Sequence, residues 1–170
     1  IAYSKYVSPC AALEPNEEAV GSVFLHFDAK CDLVITVGSG VLNDIGKIVS
    51  NVHGCPYIIV GTAPSMDGYA SASSSMSMDG LKVSLSTRVA DVIIGDVDIL
   101  KNAPDHLLKA GLGDMLAKYI SIAEWRIAHI IIGEYYCEEV AQLIRTALKK
   151  CTDNAEGLLK HDEEAIAAVF

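Results

Sequence analysis

The chain has 170 residues, of which 51% are hydrophobic, so it can bury a substantial core, yet no apolar run reaches the roughly 18 to 20 residues of a membrane span. Its net charge of -9, without a basic patch beyond Lys149-Lys150, argues against nucleic acid as a partner. The five cysteines form no C-x-x-C pair, which predicts a reduced, cytoplasmic protein without a disulfide framework; they are Cys10, Cys31, Cys55, Cys137 and Cys151.

Hydrophobic periodicity predicts an α/β fold for the first part of the chain. Helical spacing of apolar residues is found over residues 15–27 and 41–49. Short apolar runs predict strands, and one alternating run predicts an edge strand or hairpin arm; in chain order these are residues 33–37, 57–60, 81–86 and 92–95. Strands that alternate with helices predict a parallel sheet with both faces covered.

The pattern changes near Ala103-Pro104, where we place a domain boundary. From Pro104 to Phe170 the chain reads as nearly continuous helix. The chain opens at Ile1 without an initiator Met or a signal-peptide pattern, and it closes on an apolar helical run over residues 165–170. We therefore expect a piece of a larger protein.

Residues 61–80 form a small, polar run directly after the strand at 57–60. Small side chains let a ligand approach the backbone, and Ser and Thr hydroxyls can exchange hydrogen bonds with phosphate or sugar oxygens. Asp67 lies in this run without a nearby cation. The run is predicted to be a binding loop. A flexible Ser-rich linker is the alternative, although three of the four methionines lie in the run and apolar segments flank it.

The Gly38-Ser39-Gly40 turn follows the first predicted strand. Glycines at such a turn let a pyrophosphate lie against backbone N–H groups at the positive end of the next helix. A complete G-x-G-x-x-G pattern would need glycine where the chain has Asn43, so an ordinary strand-to-helix turn explains the residues equally well. Asp44 and Lys47, one turn further on, are interpreted as solvated helix surface.

The helix that opens at Gly111-Leu112-Gly113-Asp114 is predicted to be the most buried one, because residues 112–132 are apolar nearly all round. Asp114, Lys118 and Ser121 form an isolated polar stripe on it. Asp114 is either a first-turn aspartate paired with Lys118 or a carboxylate that faces a cleft and binds a divalent metal. The histidines form no local metal pair, and His129 is interpreted as a hydrogen-bonded core residue.

Three motifs in order carry a resemblance to a known family: residues 37–47 (VGSGVLNDIGK), 62–71 (TAPSMDGYAS) and 110–118 (AGLGDMLAK), followed by Glu124-Trp125-Arg126 and residues 133–137 (GEYYC). The chain resembles the glycerol-1-phosphate dehydrogenases, a branch of the iron-containing alcohol dehydrogenase and dehydroquinate synthase-like superfamily, and is most similar to the bacterial AraM-like members. The resemblance implies that residues 1–103 are the later part of a Rossmann-like nucleotide-binding domain and that residues 104–170 are the first helices of a C-terminal helical metal and substrate domain.

The resemblance also implies roles for individual residues. NAD or NADP would be bound by the pyrophosphate turn and by further contacts after the second strand: Gly38, Ser39, Gly40, Val41, Leu42, Thr62, Ala63, Pro64, Ser65 and Ser71. Asp67 matches a substrate-contacting aspartate, and Asp114 matches the aspartate that binds one divalent metal, which would be zinc, nickel or iron, and thereby the substrate. An aspartate can accept hydrogen bonds from a triol, and a metal can polarise a ketone for hydride attack.

The implied function is the interconversion of dihydroxyacetone phosphate and sn-glycerol 1-phosphate by a cytoplasmic enzyme, which could be a homo-oligomer. The family completes its metal site with two later histidines, to which nothing here corresponds, and His161 does not match them. The first strand units, which would carry much of the adenosine pocket, have no counterpart either. The 170 residues alone are therefore expected to be inactive. The alternatives are a glycerol or polyol dehydrogenase of the same superfamily and a nucleotide-binding module without catalysis.

Overall fold

The computed structural model describes residues 4–7 and 13–170, so Cys10 lies outside the described residues. The chain forms two compact units. Unit 1 holds the described residues up to Thr62 together with Gly68–Asp96, and unit 2 holds Ala63–Asp67 together with Val97–Phe170. The contacts thus separate the units at Asp96, whereas the sequence pattern changes near Ala103-Pro104. The assignment of functional domains stays a prediction.

Unit 1 is an α/β structure, as predicted. Its elements are α1 (Glu17–His26), β1 (Val34–Gly38), α2 (Gly40–His53), β2 (Tyr57–Gly61), a 3-10 turn (Gly68–Ala70), β3 (Ser73–Met78), β4 (Leu81–Ser86) and β5 (Val92–Gly95). Strands β1, β2 and β5 form a parallel sheet in that order, and β3 pairs with β4 in an antiparallel hairpin. The strand-helix-strand unit β1-α2-β2 gives the parallel pairing, because parallel neighbours need a crossover.

The predicted loop over residues 61–80 is partly a strand. Ser73–Met78 pairs along its whole length with Leu81–Ser86, and Ser74 and Met76 on alternate positions are buried opposite Leu85 and Val83. The turn between the strands is Asp79-Gly80, with positive φ at both residues. Such a turn matches the twist of a hairpin, which explains why a serine-rich run forms a strand here.

Helix α2 packs closely against one face of the parallel sheet. A β-carbon at Gly46 would lie 2.2 Å from Thr36 Oγ1 and 2.7 Å from the Tyr57 hydroxyl, so glycine is needed for this approach. Ile45 and Val49 on the same helix are buried. The helix ends at Gly54, whose left-handed conformation (φ 71°) terminates it without steric cost.

The other face of the sheet is open. Ile35 and Val37 on β1 are 57% and 60% exposed, and their partners two strands away, Val92 and Ile94, are also exposed. Residues that pair in register point to the same face, so these four side chains form one apolar surface. The sequence predicts that both faces of the sheet are covered. Among the described residues, only the face that packs against α2 is covered.

Unit 2 is helical, as predicted. Its helices are α3 (Val97–Leu100), α4 (Asp105–Ile132), α5 (Glu138–Asp153), α6 (Ala155–Leu158) and α7 (Glu163–Val169). The core is apolar and is built from every one of these elements except the second half of α4; it includes Ala63, Leu100, Leu108, Cys151, Leu158 and Ile166. Across the described part of the chain, none of the helices combines the length and the apolar character of a membrane span.

The prediction that the apolar helix over residues 112–132 is the most buried one is wrong. Only Leu108, Gly111 and Ile122 of α4 are buried, whereas Ile130 and Ile131 are each 73% exposed. Helix α4 extends beyond the short helices that pack against its first half, so its apolar character does not translate into burial. His129 is likewise exposed rather than in the core, and its Nδ1 lies 2.6 Å from the Glu134 carbonyl oxygen.

Candidate functional site

The Gly38-Ser39-Gly40 turn joins β1 to α2 in unit 1. Helix α2 begins at Gly40, and its first backbone hydrogen bond runs from Asn43 N–H to the Ser39 carbonyl. Backbone N–H groups in the first turn of a helix have no partner within the helix, and they lie at its positive end. The predicted strand-turn-helix unit is therefore present, and its helix terminus is of the type that binds phosphate groups.

A row of glycines lies at the carboxyl edge of the sheet. Gly38 of β1 pairs in register with Gly61 of β2, which pairs in register with Gly95 of β5. Three neighbouring strands thus each end in a glycine, and the three glycines are in register. Ligands of open parallel sheets bind at this edge, and the absence of β-carbons lets a ligand approach the backbone. The Thr62 N–H donates to the Gly38 carbonyl and continues the pairing by one residue.

Lys47 is buried, and the interpretation of Asp44 and Lys47 as solvated helix surface is wrong. Lys47 is 1% exposed, and its ammonium donates to the carbonyl oxygens of Gly68 (2.9 Å), Ser71 (3.2 Å) and Ser73 (2.7 Å). Asp44 is partly buried, with Oδ1 3.7 Å from Lys47 Nζ. Burial raises the pKa of Asp44, although Lys47 and a hydrogen bond from the Ser75 backbone oppose this shift. The helix pattern could not show that residues 68–75 cover this face.

Asn43 explains part of the departure from the glycine pattern. Its side chain is fully buried and donates from Nδ2 to the Gly68 carbonyl at 3.2 Å. The Tyr57 hydroxyl donates to both the backbone carbonyl and Oδ1 of Asn43. Burial raises the pKa of Tyr57, so this hydroxyl keeps its proton and acts as a donor. A glycine at position 43 would lose the two contacts made by the Asn43 side chain and keep the one accepted by the backbone carbonyl.

Ser71 is the remaining predicted cofactor contact in unit 1. Its hydroxyl lies 2.9 Å from the Ser73 hydroxyl and accepts a hydrogen bond from the Ser73 N–H at 3.1 Å. The Ser71 carbonyl is held by Lys47. This segment is therefore ordered by specific bonds, unlike the flexible linker that was the alternative.

Asp67, Asp114 and Lys118 form a charged cluster in unit 2. The Lys118 ammonium lies 2.7 Å from Asp67 Oδ2 and 3.7 Å from Asp114 Oδ1. The Asp67 N–H donates to Asp114 Oδ2 at 2.8 Å. The prediction that Asp67 lacks a nearby cation is therefore wrong, because α4 brings a distant lysine to it. Helix α4 begins at Asp105, so the interpretation of Asp114 as a first-turn aspartate is wrong, although Asp114 has the expected Lys118 partner. Its Oδ2 also accepts the hydrogen bond from the Asp67 N–H.

Asp114 and Lys118 reach Asp67 because Gly111 lets α4 approach the segment Ala63–Asp67. A β-carbon at Gly111 would lie 1.7 Å from the Pro64 carbonyl oxygen, which no substitution could accommodate without movement. Ala63 and Pro64 are buried, and Ser65 is partly buried. The structure thus gives Ala63 and Pro64 a packing role, while the assignment of Ala63, Pro64 and Ser65 to the cofactor stays a prediction.

The cluster borders a small cavity but does not form a complete metal site. The cavity measures about 210 Å³ and is lined by Lys118 and mostly apolar residues: Ser121, Ile122, Trp125 and Ile144. Within the described residues, no three His, Cys, Asp or Glu side chains lie close enough to share a metal ion. Asp114 and Asp67 offer two carboxylates with an ammonium between them, a donor set that does not hold a divalent cation by itself.

Known proteins resemble this chain along most of its length. Glycerol-1-phosphate dehydrogenase [NAD(P)+] from Geobacillus thermodenitrificans is 36% identical over 151 residues, which cover 89% of this chain and 37% of the relative. The protein of the same name from Bacillus subtilis is 34% identical over 155 residues, covering 91% of this chain and 39% of the relative. The chain therefore spans about two fifths of the length of these curated relatives.

The fold is also found in solved structures. A probable glycerol dehydrogenase from Sinorhizobium meliloti superposes with a TM-score of 0.76 at 23% identity, covering 92% of this chain and 48% of that chain. The sequence model of the family described as iron-containing alcohol dehydrogenase matches residues 4–104, which is more than half of the sequence. The chain belongs to the iron-containing alcohol dehydrogenase family.

Proposed function

We propose that the natural-length protein carrying this chain is an NAD(P)-linked oxidoreductase that interconverts dihydroxyacetone phosphate and sn-glycerol 1-phosphate. The observation that carries the proposal is the glycine row at the carboxyl edge of β1, β2 and β5, directly before the start of α2. The reaction is taken from relatives named glycerol-1-phosphate dehydrogenase [NAD(P)+]. A small-molecule substrate, a cytoplasmic location and a homo-oligomeric state belong to the same proposal.

The nucleotide would be held by the backbone of the first turn of α2. N–H groups of residues 39–42 would donate to the pyrophosphate, and the helix terminus would favour its negative charge. Thr62 and Ser71 would add hydroxyl contacts, and the same role is proposed for the segment Ala63, Pro64 and Ser65. When bound, the nicotinamide ring takes up or delivers the hydride. A β-carbon at residue 38 would lie 2.9 Å from the β-carbon of Leu42. Glycine at this position therefore lets the end of β1 lie close to the first turn of α2.

The substrate would be bound by the Asp67, Asp114 and Lys118 cluster. Asp67 Oδ2 can accept a hydrogen bond from a hydroxyl group of the triol. Lys118 lies between the two carboxylates and offsets their negative charge, which keeps both of them close to one another. A polar group that pairs with a substrate hydroxyl discriminates strongly against analogues that lack it.

The described residues do not fit a complete divalent-metal site. We propose Asp114 as the one ligand that this chain supplies to the catalytic metal of the natural-length protein, which would be zinc, nickel or iron. Its other ligands would come from outside these residues. The 170 residues alone are consequently proposed to be inactive, and their metal affinity is expected to be weak.

The test is an assay of the natural-length protein with NADH or NADPH and dihydroxyacetone phosphate. We expect reduction to sn-glycerol 1-phosphate, and Asp67→Ala should lower kcat/KM by about 100-fold while the Kd of NADH changes little. Glu156→Gln, at an exposed position of α6, is the control and should change neither.

Two results would replace the proposal by one of its alternatives. A preference for glycerol over its phosphate would indicate a polyol dehydrogenase. Nucleotide binding without turnover of any of these substrates would indicate a binding module.

A further inference from the structure

We infer that Lys47 is a positioning residue of the nucleotide site, which holds residues 68–73 in place against helix α2. The inference rests on the proposed function, because it concerns the same site. The Lys47 ammonium donates to the carbonyls of Gly68, Ser71 and Ser73, which lie outside the glycine turn, and it also forms an ion pair with Asp44 on α2. It would therefore act on the ligand through this segment.

The bonding pattern uses the full donor capacity of a lysine. An ammonium has three N–H donors, and three carbonyl oxygens lie 2.7 to 3.2 Å from Lys47 Nζ. Lysine is almost never fully buried unless it is paired, because removing the charge from water is costly. An apolar residue would fill this position on α2 at lower cost, so packing alone does not account for a lysine here.

The three carbonyls belong to one stretch of backbone that leads from the 3-10 turn Gly68–Ala70 into β3. Asn43, one turn before Lys47 on α2, binds the Gly68 carbonyl as well. This stretch contains Ser71, and α2 starts at Gly40 in the turn proposed to bind the pyrophosphate. Both parts of the site in unit 1 are thus fixed to the same helix.

The consequence is preorganisation of the site. Where a binding segment is already ordered, the ligand does not have to supply the free energy of ordering it. If the competent arrangement is populated for only a fraction of the time, the apparent Kd rises by the inverse of that fraction. Loss of the Lys47 bonds should therefore weaken nucleotide binding without altering any group that touches the nucleotide.

The experiment compares Lys47→Met with the unmodified natural-length protein. Methionine keeps much of the apolar stem and removes the three donors. We expect the Kd of NADH, measured by fluorescence titration, to rise about tenfold. Hydrogen exchange of the amides in residues 68–78 should accelerate, while the amides of Tyr57–Gly61 stay protected.

Two further variants separate positioning from stability. Val49→Ala removes a buried side chain from the same helix and leaves the Lys47 donors in place, so it should lower the stability of unit 1 and leave the Kd within about twofold. Lys47→Arg keeps the charge, but a planar guanidinium cannot place three donors at one point. Its Kd of NADH and its hydrogen-exchange rates in residues 68–78 should lie between those of Lys47→Met and the unmodified protein.

The outcomes distinguish this inference from the proposed function. If the unmodified protein binds neither NADH nor NADPH, the proposed function fails. If it binds and Lys47→Met binds equally well despite faster exchange in residues 68–78, the positioning role is overturned. The role is also overturned if Val49→Ala loses as much stability as Lys47→Met and raises the Kd of NADH by as much. Should Lys47→Met not fold, an unchanged Kd in Lys47→Arg with faster loop exchange overturns it.

Discussion

Gly111 of α4 lies so close to Pro64 that a β-carbon at residue 111 would stand 1.7 Å from the Pro64 carbonyl oxygen. Asp114 follows one turn later on the same helix, and its Oδ2 accepts a hydrogen bond from the Asp67 N–H. The close approach at Gly111 therefore helps to bring Asp114 within hydrogen-bond distance of the Asp67 backbone.

Gly111→Ala should destabilise unit 2 and separate Asp114 from Asp67. Alanine favours a helix over glycine by about 1 kcal/mol, but a clash with backbone typically costs about 1 to 3 kcal/mol or more and forces the helix to move. Gly113→Ala is the matched control, because a β-carbon there meets nothing within 4 Å, and it should stabilise by about 0.5 to 1 kcal/mol. Urea unfolding of both variants tests this. Equal effects of the two would contradict the close contact.

Lys118→Met should impair the reaction far more than it impairs folding. Partly exposed ion pairs contribute about 0 to 1 kcal/mol, so the free energy of unfolding should change little. Without the ammonium, the carboxylates of Asp67 and Asp114 repel each other and lose their relative position. We expect the KM of the phosphorylated substrate in the natural-length protein to rise while the Kd of NADH is retained.

Lys149→Met is the control for that experiment, because Lys149 forms an exposed pair with Asp153 at the same distance of 2.7 Å. It should leave both substrate and nucleotide parameters unchanged. A Lys118→Met protein with unaltered KM would remove the cluster from the substrate site.

Asp44→Asn should change how stability depends on pH. Burial raises the pKa of Asp44 above its ordinary value of 3.8, so the folded state holds this proton more tightly than the unfolded state. The contribution of Asp44 to the free energy of unfolding of the wild type therefore falls as the pH rises from about 3.8 through the raised pKa. The unfolding free energy of Asp44→Asn, minus that of the wild type, should increase across the same window.

Asp98→Asn should change the pH dependence of stability in the opposite direction. The hydrogen bond from Lys101 holds the pKa of Asp98 below its ordinary value, so its contribution is present above pH 3.8 and is lost as the pH falls through the lowered pKa. The difference between Asp98→Asn and wild type should thus move the other way. Urea titrations of the three proteins between about pH 2 and 7 measure both differences. Parallel dependence of unfolding free energy on pH for Asp44→Asn and the wild type would refute the assignment of Asp44.

Short-range patterns predicted the elements but not the contacts between distant residues. The strands at Val34–Gly38, Tyr57–Gly61 and Val92–Gly95 follow from apolar runs, and their bounds differ by at most one residue from the expected ones. Strand β3 was missed because its serines suggested a loop. Asp79-Gly80 was the available signal, since Asp-Gly between alternating runs favours a hairpin.

The candidate sites show the same division. Gly38-Ser39-Gly40 and Asp114 could be selected from the sequence, because glycines after a strand and a lone acid on an apolar helix are local features. The pairing of Asp67 with Lys118 could not be selected, because it depends on the path of α4. Burial of Lys47 was hidden for a similar reason: a charged residue on an amphipathic helix is usually solvated, and only the later segment over residues 68–73 covers it.

Cysteine labelling can report on each unit separately. Cys55 in unit 1 and Cys151 in unit 2 are buried, whereas Cys31 and Cys137 are partly exposed. Burial also raises the pKa of Cys151, whose thiol donates to the Ala168 carbonyl at 2.8 Å, and only the thiolate is reactive. Of the four cysteines that the structure describes, Cys31 and Cys137 should react first with N-ethylmaleimide, and Cys151 should react only as unit 2 unfolds in urea.

Mass spectrometry of the labelled peptides gives the order of reaction. The urea concentration that exposes Cys55 should follow the loss of unit 1, and Cys151 should follow the loss of unit 2, so Gly111→Ala should shift the labelling of Cys151 to lower urea. Val49→Ala should shift that of Cys55 instead, because Val49 is in the core of unit 1. Reaction of Cys151 as fast as that of Cys31 in the folded protein would contradict the packing of α5 against α7.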